Sequence, residues 1–172
     1  MKTFVEMKVA GIALDPSNNA PIVILRDLEG KLVLPIWIGI MEASSIAAAI
    51  EGISYSRPMT HDLLKNILDK IEAEVVKIEV VDIKDNVFYA VISVRYNGQT
   101  VKIDARPSDA IAIALRTQAN IFVAAHVLKD ATQATTDTEK KKKIIFGFEQ
   151  DMEKLKEILE DMDPEDFGKY KA

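Results

Sequence analysis

The chain has 172 residues, 22 Lys and Arg against 27 Asp and Glu, a net charge of −5 and no cysteine. One domain's length with 48% hydrophobic and 28% charged residues excludes disordered and fibrous classes, and the acidic balance excludes a surface gripping nucleic acid or anionic lipid throughout. Without cysteine there is no disulfide, zinc–thiolate site, iron–sulfur cluster or thiol nucleophile.

The first 14 residues alternate polar and apolar and carry Glu6, unlike the unbroken apolar run of a signal peptide. The longest apolar stretch, Leu32 to Met41, contains Pro35 and Gly39 and is far short of a membrane span, so a cytoplasmic chain without membrane anchor is expected. Phe4, Met7, Val9, Ile12 and Leu14 predict a first strand, Pro21 to Leu25 a second and Leu32 to Trp37 a third. The turns between them are Asp15-Pro16-Ser17-Asn18-Asn19 and Glu29-Gly30-Lys31. Trp37, the only tryptophan, is expected in the core.

Helical spacing then predicts helices over Glu42 to Ile53 and Thr60 to Ile71. In the second, Leu63, Leu64, Ile67, Leu68 and Ile71 form one apolar face, with Thr60 as N-cap and Asp62 near the positive end of the dipole. Strands return at Val75 to Ile83, Val87 to Tyr96 and Thr100 to Asp104, the last two joined by the hairpin signal Asn97-Gly98. A helix over Ser108 to Thr117 and a strand over Ile121 to Ala124 close this part. The expected fold is α/β in the α+β sense: a compact mixed sheet of hairpin-linked strands with packed helices. Residues 1–125 form the core domain and 126–147 a linker, because composition loses its periodicity from His126 on. The tail, 148–172, is expected to be a C-terminal helix, with Phe148, Met152, Leu155, Leu159 and Met162 spaced as a short heptad seam.

Two segments share a local pattern: Arg57-Pro58-Met59-Thr60-His61-Asp62 and Arg106-Pro107-Ser108-Asp109. Each combines Arg-Pro, a hydroxyl residue and an aspartate at a helix entry. On one reading proline fixes the entry, the hydroxyl caps and the aspartate meets the dipole. On the other, the free N–H groups of a helix start and a neighbouring arginine make a phosphate site, with Arg57, Arg106 and Ser108 as its donors. His61 stands beside Asp62 where a general base would be displayed, and His126 is given no role. Carboxylates at strand ends and helix starts, Glu42, Asp62, Asp104 and Asp109, suit Mg²⁺ or Mn²⁺, or read singly as caps and ion pairs. No P-loop, GxGxxG, GxSxG, HxxxH or EF-hand pattern is present.

Four motifs in series carry a resemblance. They are Leu34-Pro35-Ile36-Trp37-Ile38-Gly39 with Glu42-Ala43; Arg57 to Asp62; Asp85-Asn86-Val87-Phe88-Tyr89-Ala90; and Asp104-Ala105-Arg106-Pro107-Ser108-Asp109-Ala110-Ile111-Ala112. In that order and spacing, over about residues 2–124, the chain resembles the bifunctional nuclease (BFN) domain family in its compact prokaryotic form. The resemblance implies hydrolysis of RNA and DNA, an activity assigned chiefly from plant members, and a homo-oligomer, to which the C-terminal seam would contribute. The matching positions are Glu42, Arg57, His61, Asp62, Asp85, Asp104, Arg106, Ser108 and Asp109. The expectation is thus a metal-assisted nuclease: His61, Asp62 and Asp109 catalytic, Arg57, Arg106 and Ser108 on phosphates, and Glu42 and Asp104 on Mg²⁺ or Mn²⁺. The alternative is a non-catalytic oligomeric module that binds an anionic ligand or a protein partner.

Overall fold

A computed structural model describes residues 3–134. Seven strands and four helices follow in the order β1 (Phe4–Leu14), β2 (Pro21–Asp27), β3 (Val33–Trp37), α1 (Ile40–Ile50), α2 (Thr60–Lys70), β4 (Glu74–Lys84), β5 (Val87–Tyr96), β6 (Gln99–Ala105), α3 (Pro107–Thr117), β7 (Asn120–Ala124) and α4 (Ala125–Ala134). The strands form one mixed sheet in the order β3-β2-β1-β7-β4-β5-β6. Two antiparallel meanders, β1-β2-β3 and β4-β5-β6, flank β7, which runs antiparallel to β1 and parallel to β4.

Turn chemistry sets the second meander. Asp85 and Asn86 both have positive φ, as do Asn97 and Gly98, the backbone that two-residue hairpin loops require to match strand twist. Gly98, at φ +75°, adopts this without a Cβ penalty. Each meander hands over to a helix, β3 to α1 and β6 to α3, and these two helices pack together over the sheet. The close approach follows from small side chains: Ala43, Ala47, Ala110 and Ala114 are buried in the core with Ile46, Ile111 and Ile113. Val23, Leu25, Ile78, Val80 and Val123 supply its sheet side.

Four expectations need correction. Trp37 is 42% exposed, and its indole Nε1–H donates to Asp15 Oδ2 at 3.1 Å, since a strand end at the sheet edge leaves the ring half in water. The N-cap of α2 is Met59, not Thr60. The apolar stripe of α2 faces solvent: Leu63, Ile67 and Ile71 are about half exposed, and only Leu68 of this face packs partly against the core. Residues read from sequence as the start of a loop at His126 form α4, because Val127 and Leu128 are buried in the core. The heptad seam from Phe148 to Met162 lies outside the described residues. Among the described residues no helix is long and apolar enough to cross a membrane.

Candidate functional site

Three helix starts meet on one side of the molecule, and each places a carboxylate at its third helical position. Gly39 caps α1 and puts Glu42 there, Met59 caps α2 and puts Asp62 there, and Arg106 caps α3 and puts Asp109 there. A carboxylate in the first turn is favoured by the helix dipole and by the free N–H groups. Asp62 uses this position in the usual way, its Oδ2 accepting from the Met59 backbone N–H at 3.0 Å. The other carboxylates turn to arginines. Arg106 Nη1 donates to Glu42 Oε1 at 2.8 Å, while its Nε and Nη2 donate to Asp109 at 2.7 and 3.1 Å. Arg116, in the last turn of α3, donates through Nε to Asp62 and through Nη1 to the Ser45 and Ala112 carbonyls.

His61 sits between these pairs. Its Nε2 lies 3.1 Å from Asp109 Oδ1 and its Nδ1 2.8 Å from Ser45 Oγ, so α1, α2 and α3 are tied through one imidazole. Partial burial opposes ionisation of Asp109, but hydrogen bonds from Arg106 and His61 outweigh it and hold the carboxyl below its usual range. Asp62 follows the same balance: burial raises its pKa, and Arg116 with the Met59 N–H lowers it further. Hydrogen bonds to Asp109, then to Glu42, push the Arg106 guanidinium above its usual value. Both carboxylates are therefore anionic and Arg106 cationic at neutral pH.

A cavity of about 230 Å³ opens beside this network, lined by Glu42, Ser44, Ser45 and Met41 of α1, Tyr55, the start of α2 through His61, and Arg106, Asp109 and Arg116. It is smaller than the roughly 300–1,000 Å³ of sites that engulf a small molecule, and fits a phosphate-sized group better than a whole nucleotide. Of its five N–H donors, Arg106 spends three on carboxylates and keeps two for an anion. A larger groove of about 590 Å³ at the far ends of α2 and α3 holds the Lys65–Asp69 pair and the other side of Arg116, and none of the site residues expected from sequence.

The expected site residues divide accordingly. Glu42, His61, Arg106 and Asp109 come together at the cavity, with Asp62 behind them through Arg116. Arg57 is exposed in the loop before α2 and does not line the cavity. Ser108 is 7% exposed, faces inward from α3 and caps nothing. Asp104 lies exposed on the edge strand β6, and Asp85 forms the β4–β5 turn. Among the described residues no three His, Asp or Glu side chains converge to hold an ion. As placed, Glu42 and Asp104 share no donor set for Mg²⁺ or Mn²⁺. Arg116, Ser45 and Tyr55 were not singled out by sequence. Arg116 had a signal, since it stands seven residues after Asp109 on the same face of α3.

Gly39 makes the Glu42 position possible. A Cβ there would lie 2.2 Å from Glu42 Oε2. Gly39→Ala is expected to push that flexible carboxylate off Arg106 while Asp109 still holds the guanidinium, leaving a third N–H free. Calorimetric titration with inorganic phosphate should show affinity rising about tenfold, roughly the 1.4 kcal/mol of one added charge-assisted bond, at a near-unchanged melting temperature. A fall in affinity would make Glu42 a support that Arg106 needs.

Comparison with known proteins places these residues in a family context. The family model described as "Bifunctional nuclease domain" matches residues 23–136, which contain every residue of the cavity. An uncharacterised protein of Mycobacterium tuberculosis is 36% identical over 162 residues, 94% of this chain and 97% of its own length. Bifunctional nuclease 1 of Arabidopsis thaliana is 31% identical over 60% of this chain, and bifunctional nuclease 2 of Oryza sativa 30% identical over 66%. The matched part spans about a third of each plant protein.

Proposed function

Because the chain belongs to the bifunctional nuclease domain family, we propose that it hydrolyses phosphodiester bonds of RNA or DNA in the cavity between α1, α2 and α3. The observation that carries this is the chain Ser45–His61–Asp109–Arg106–Glu42, which puts an imidazole, an oriented carboxylate and a guanidinium with free donors on one phosphate-sized space. Arg106 would hold the non-bridging oxygens and meet the charge that develops on them. Arg116, 9% exposed and cationic, adds a positive field from below. Two arginines face three carboxylates, which keeps the site near neutral and fits weak, transient binding of a polyanion. Self-association and a cytoplasmic setting belong to the same proposal.

Purified full-length chain should cleave end-labelled single-stranded RNA or DNA, and Arg106→Ala should lower kcat/KM by about 10²–10³-fold, as loss of a transition-state donor does. Cleavage that survives Arg106→Ala unchanged comes from a contaminant or another site. Parallel reactions with Mg²⁺, Mn²⁺ and EDTA test the expected metal dependence, which would require Glu42 and Asp109 to leave Arg106 for the ion.

The second reading, a module that binds an anionic ligand without turnover, is favoured by one feature: both nitrogens of His61 are engaged within the protein. Phosphate binding with no cleavage of either nucleic acid would select it.

A further inference from the structure

We infer that Ser45 is the nucleophile of this site and that cleavage passes through a covalent seryl phosphodiester of the enzyme; this rests on the phosphodiesterase reading above. Asp109 is held as a carboxylate by Arg106, so it only accepts, and the imidazole proton it accepts sits on His61 Nε2. In the tautomer that donates from Nε2 the lone pair stands on Nδ1, where the Ser45 hydroxyl, 2.8 Å away, is placed to donate to it. A base in that state has no lone pair left for water. The one proton within its reach is that of Ser45 Oγ.

The serine's own behaviour supports this. A helical serine commonly turns its hydroxyl back to the carbonyl four residues earlier. Ser44 does so, donating to Ile40 O at 2.8 Å, and Thr117 does the same to Ile113. Ser45, the next residue, forgoes that bond for His61 and lines the cavity. Its backbone carbonyl accepts from Arg116 Nη1 at 3.2 Å, which fixes this turn of α1 against α3. Nucleophile, base and orienter come from three different helices and meet in hydrogen-bond order.

The chemistry balances without an added reactant other than water. Ser45 Oγ attacks phosphorus as its proton passes to His61 Nδ1; the Oγ–P bond forms, the P–O bond to the leaving sugar breaks, and the leaving oxygen takes the proton from the imidazolium. Water then attacks the phosphorus of this seryl phosphodiester, which still carries the other nucleoside, and gives a proton to His61. The P–Oγ bond breaks and Ser45 regains its proton, leaving a phosphomonoester and an alcohol.

Two displacements retain configuration at phosphorus, whereas direct attack by water inverts it. The wild-type chain is given single-stranded DNA, which lacks a 2′-hydroxyl, carrying one Rp-phosphorothioate at the cleaved linkage, in ¹⁸O-water. Retention is expected; inversion would overturn the inference and leave the nuclease reading standing. Absence of cleavage of both DNA and RNA by the wild type would remove both. Ser45→Ala should lower kcat on the order of 10³-fold or more with KM little changed. An unaltered kcat in that variant would equally exclude Ser45 as nucleophile. The stereochemical result is read on the unmodified protein and does not depend on the variant folding.

Discussion

His61→Ala is expected to lower the turnover number for nucleic acid by about 10²–10⁴-fold, the range supplied by a positioned general acid or base. The side chain is 13% exposed and spans the gap between Ser45 and Asp109, so no neighbour can take over its proton transfer. Its removal also uncouples α2 from α1 and α3 at this point, while the Asp62–Arg116 pair still holds α2 in place. Melting by circular dichroism should therefore report a modest loss, about 1–2 kcal/mol for the two side-chain hydrogen bonds removed. A steady-state assay with purified variant and wild type decides the matter. Activity within threefold of wild type would remove His61 from the site, whatever the fate of Ser45.

Asp62→Ala should have the largest effect on stability. Arg116 is almost fully buried, and its Nε loses its only carboxylate in this variant. Stranding one partner of a fully buried pair costs about 3–5 kcal/mol. Asp62 is itself 34% exposed and water can follow its departure, so about 2–3 kcal/mol is expected once screening is allowed for. The variant also loses the acceptor for the Met59 N–H at the start of α2. Thermal melting should fall by roughly 4–12 °C for a domain of this size.

The pH dependence gives this loss a signature. The folded-state pKa of Asp62 is lowered from 3.8, so the pair's contribution is complete above pH of about 4 and disappears as pH falls through the folded value. Melting curves of wild type and Asp62→Ala should run parallel above that point and converge below it. A gap that stays constant down to pH of about 3 would place the destabilisation elsewhere.

Much of the frame is legible in the sequence because local chemistry decides it. Asn97-Gly98 makes its hairpin, and the aspartates of the two Arg-Pro segments stand in first turns as their spacing implies. The arginines of those segments look equivalent and are not. In Arg106-Pro107-Ser108-Asp109 the proline is the first helical residue, so Arg106 is itself the cap and reaches Asp109 within one turn. In Arg57-Pro58-Met59-Thr60-His61-Asp62 two more residues intervene, the cap moves to Met59, and Arg57 is left outside. A count of three against five between Arg and Asp contains this difference. Ser108 follows from the same offset: at the second helical position it faces inward among the alanines of α3.

Ser45 had no such signal. Nothing local separates it from Ser44, and its partner is 16 residues away on another helix. Glu42 was singled out as a metal ligand, but its partner Arg106 is 64 residues away, and only the packing of α1 on α3 brings them together. Long-range pairing of this kind is written in the sheet order rather than in any segment. Trp37 shows the opposite failure, where its place in an apolar strand argued for burial and position at the sheet edge prevailed.

The solvent-facing stripe of α2 bears on how the site holds together. This helix buries none of its residues fully, and polar links through His61 and Asp62 join it to α3. Its attachment is thus weighted toward charge pairs rather than apolar area, and it belongs to the low-stability end of the molecule, able to open while the sheet stays intact. Assembly of the candidate site and global folding are then separate equilibria. Moderate salt, which screens partly exposed pairs but leaves a hydrophobic core untouched, acts on the first before the second. An anion seated between Arg106 and the start of α2 would add one more polar link of the same kind.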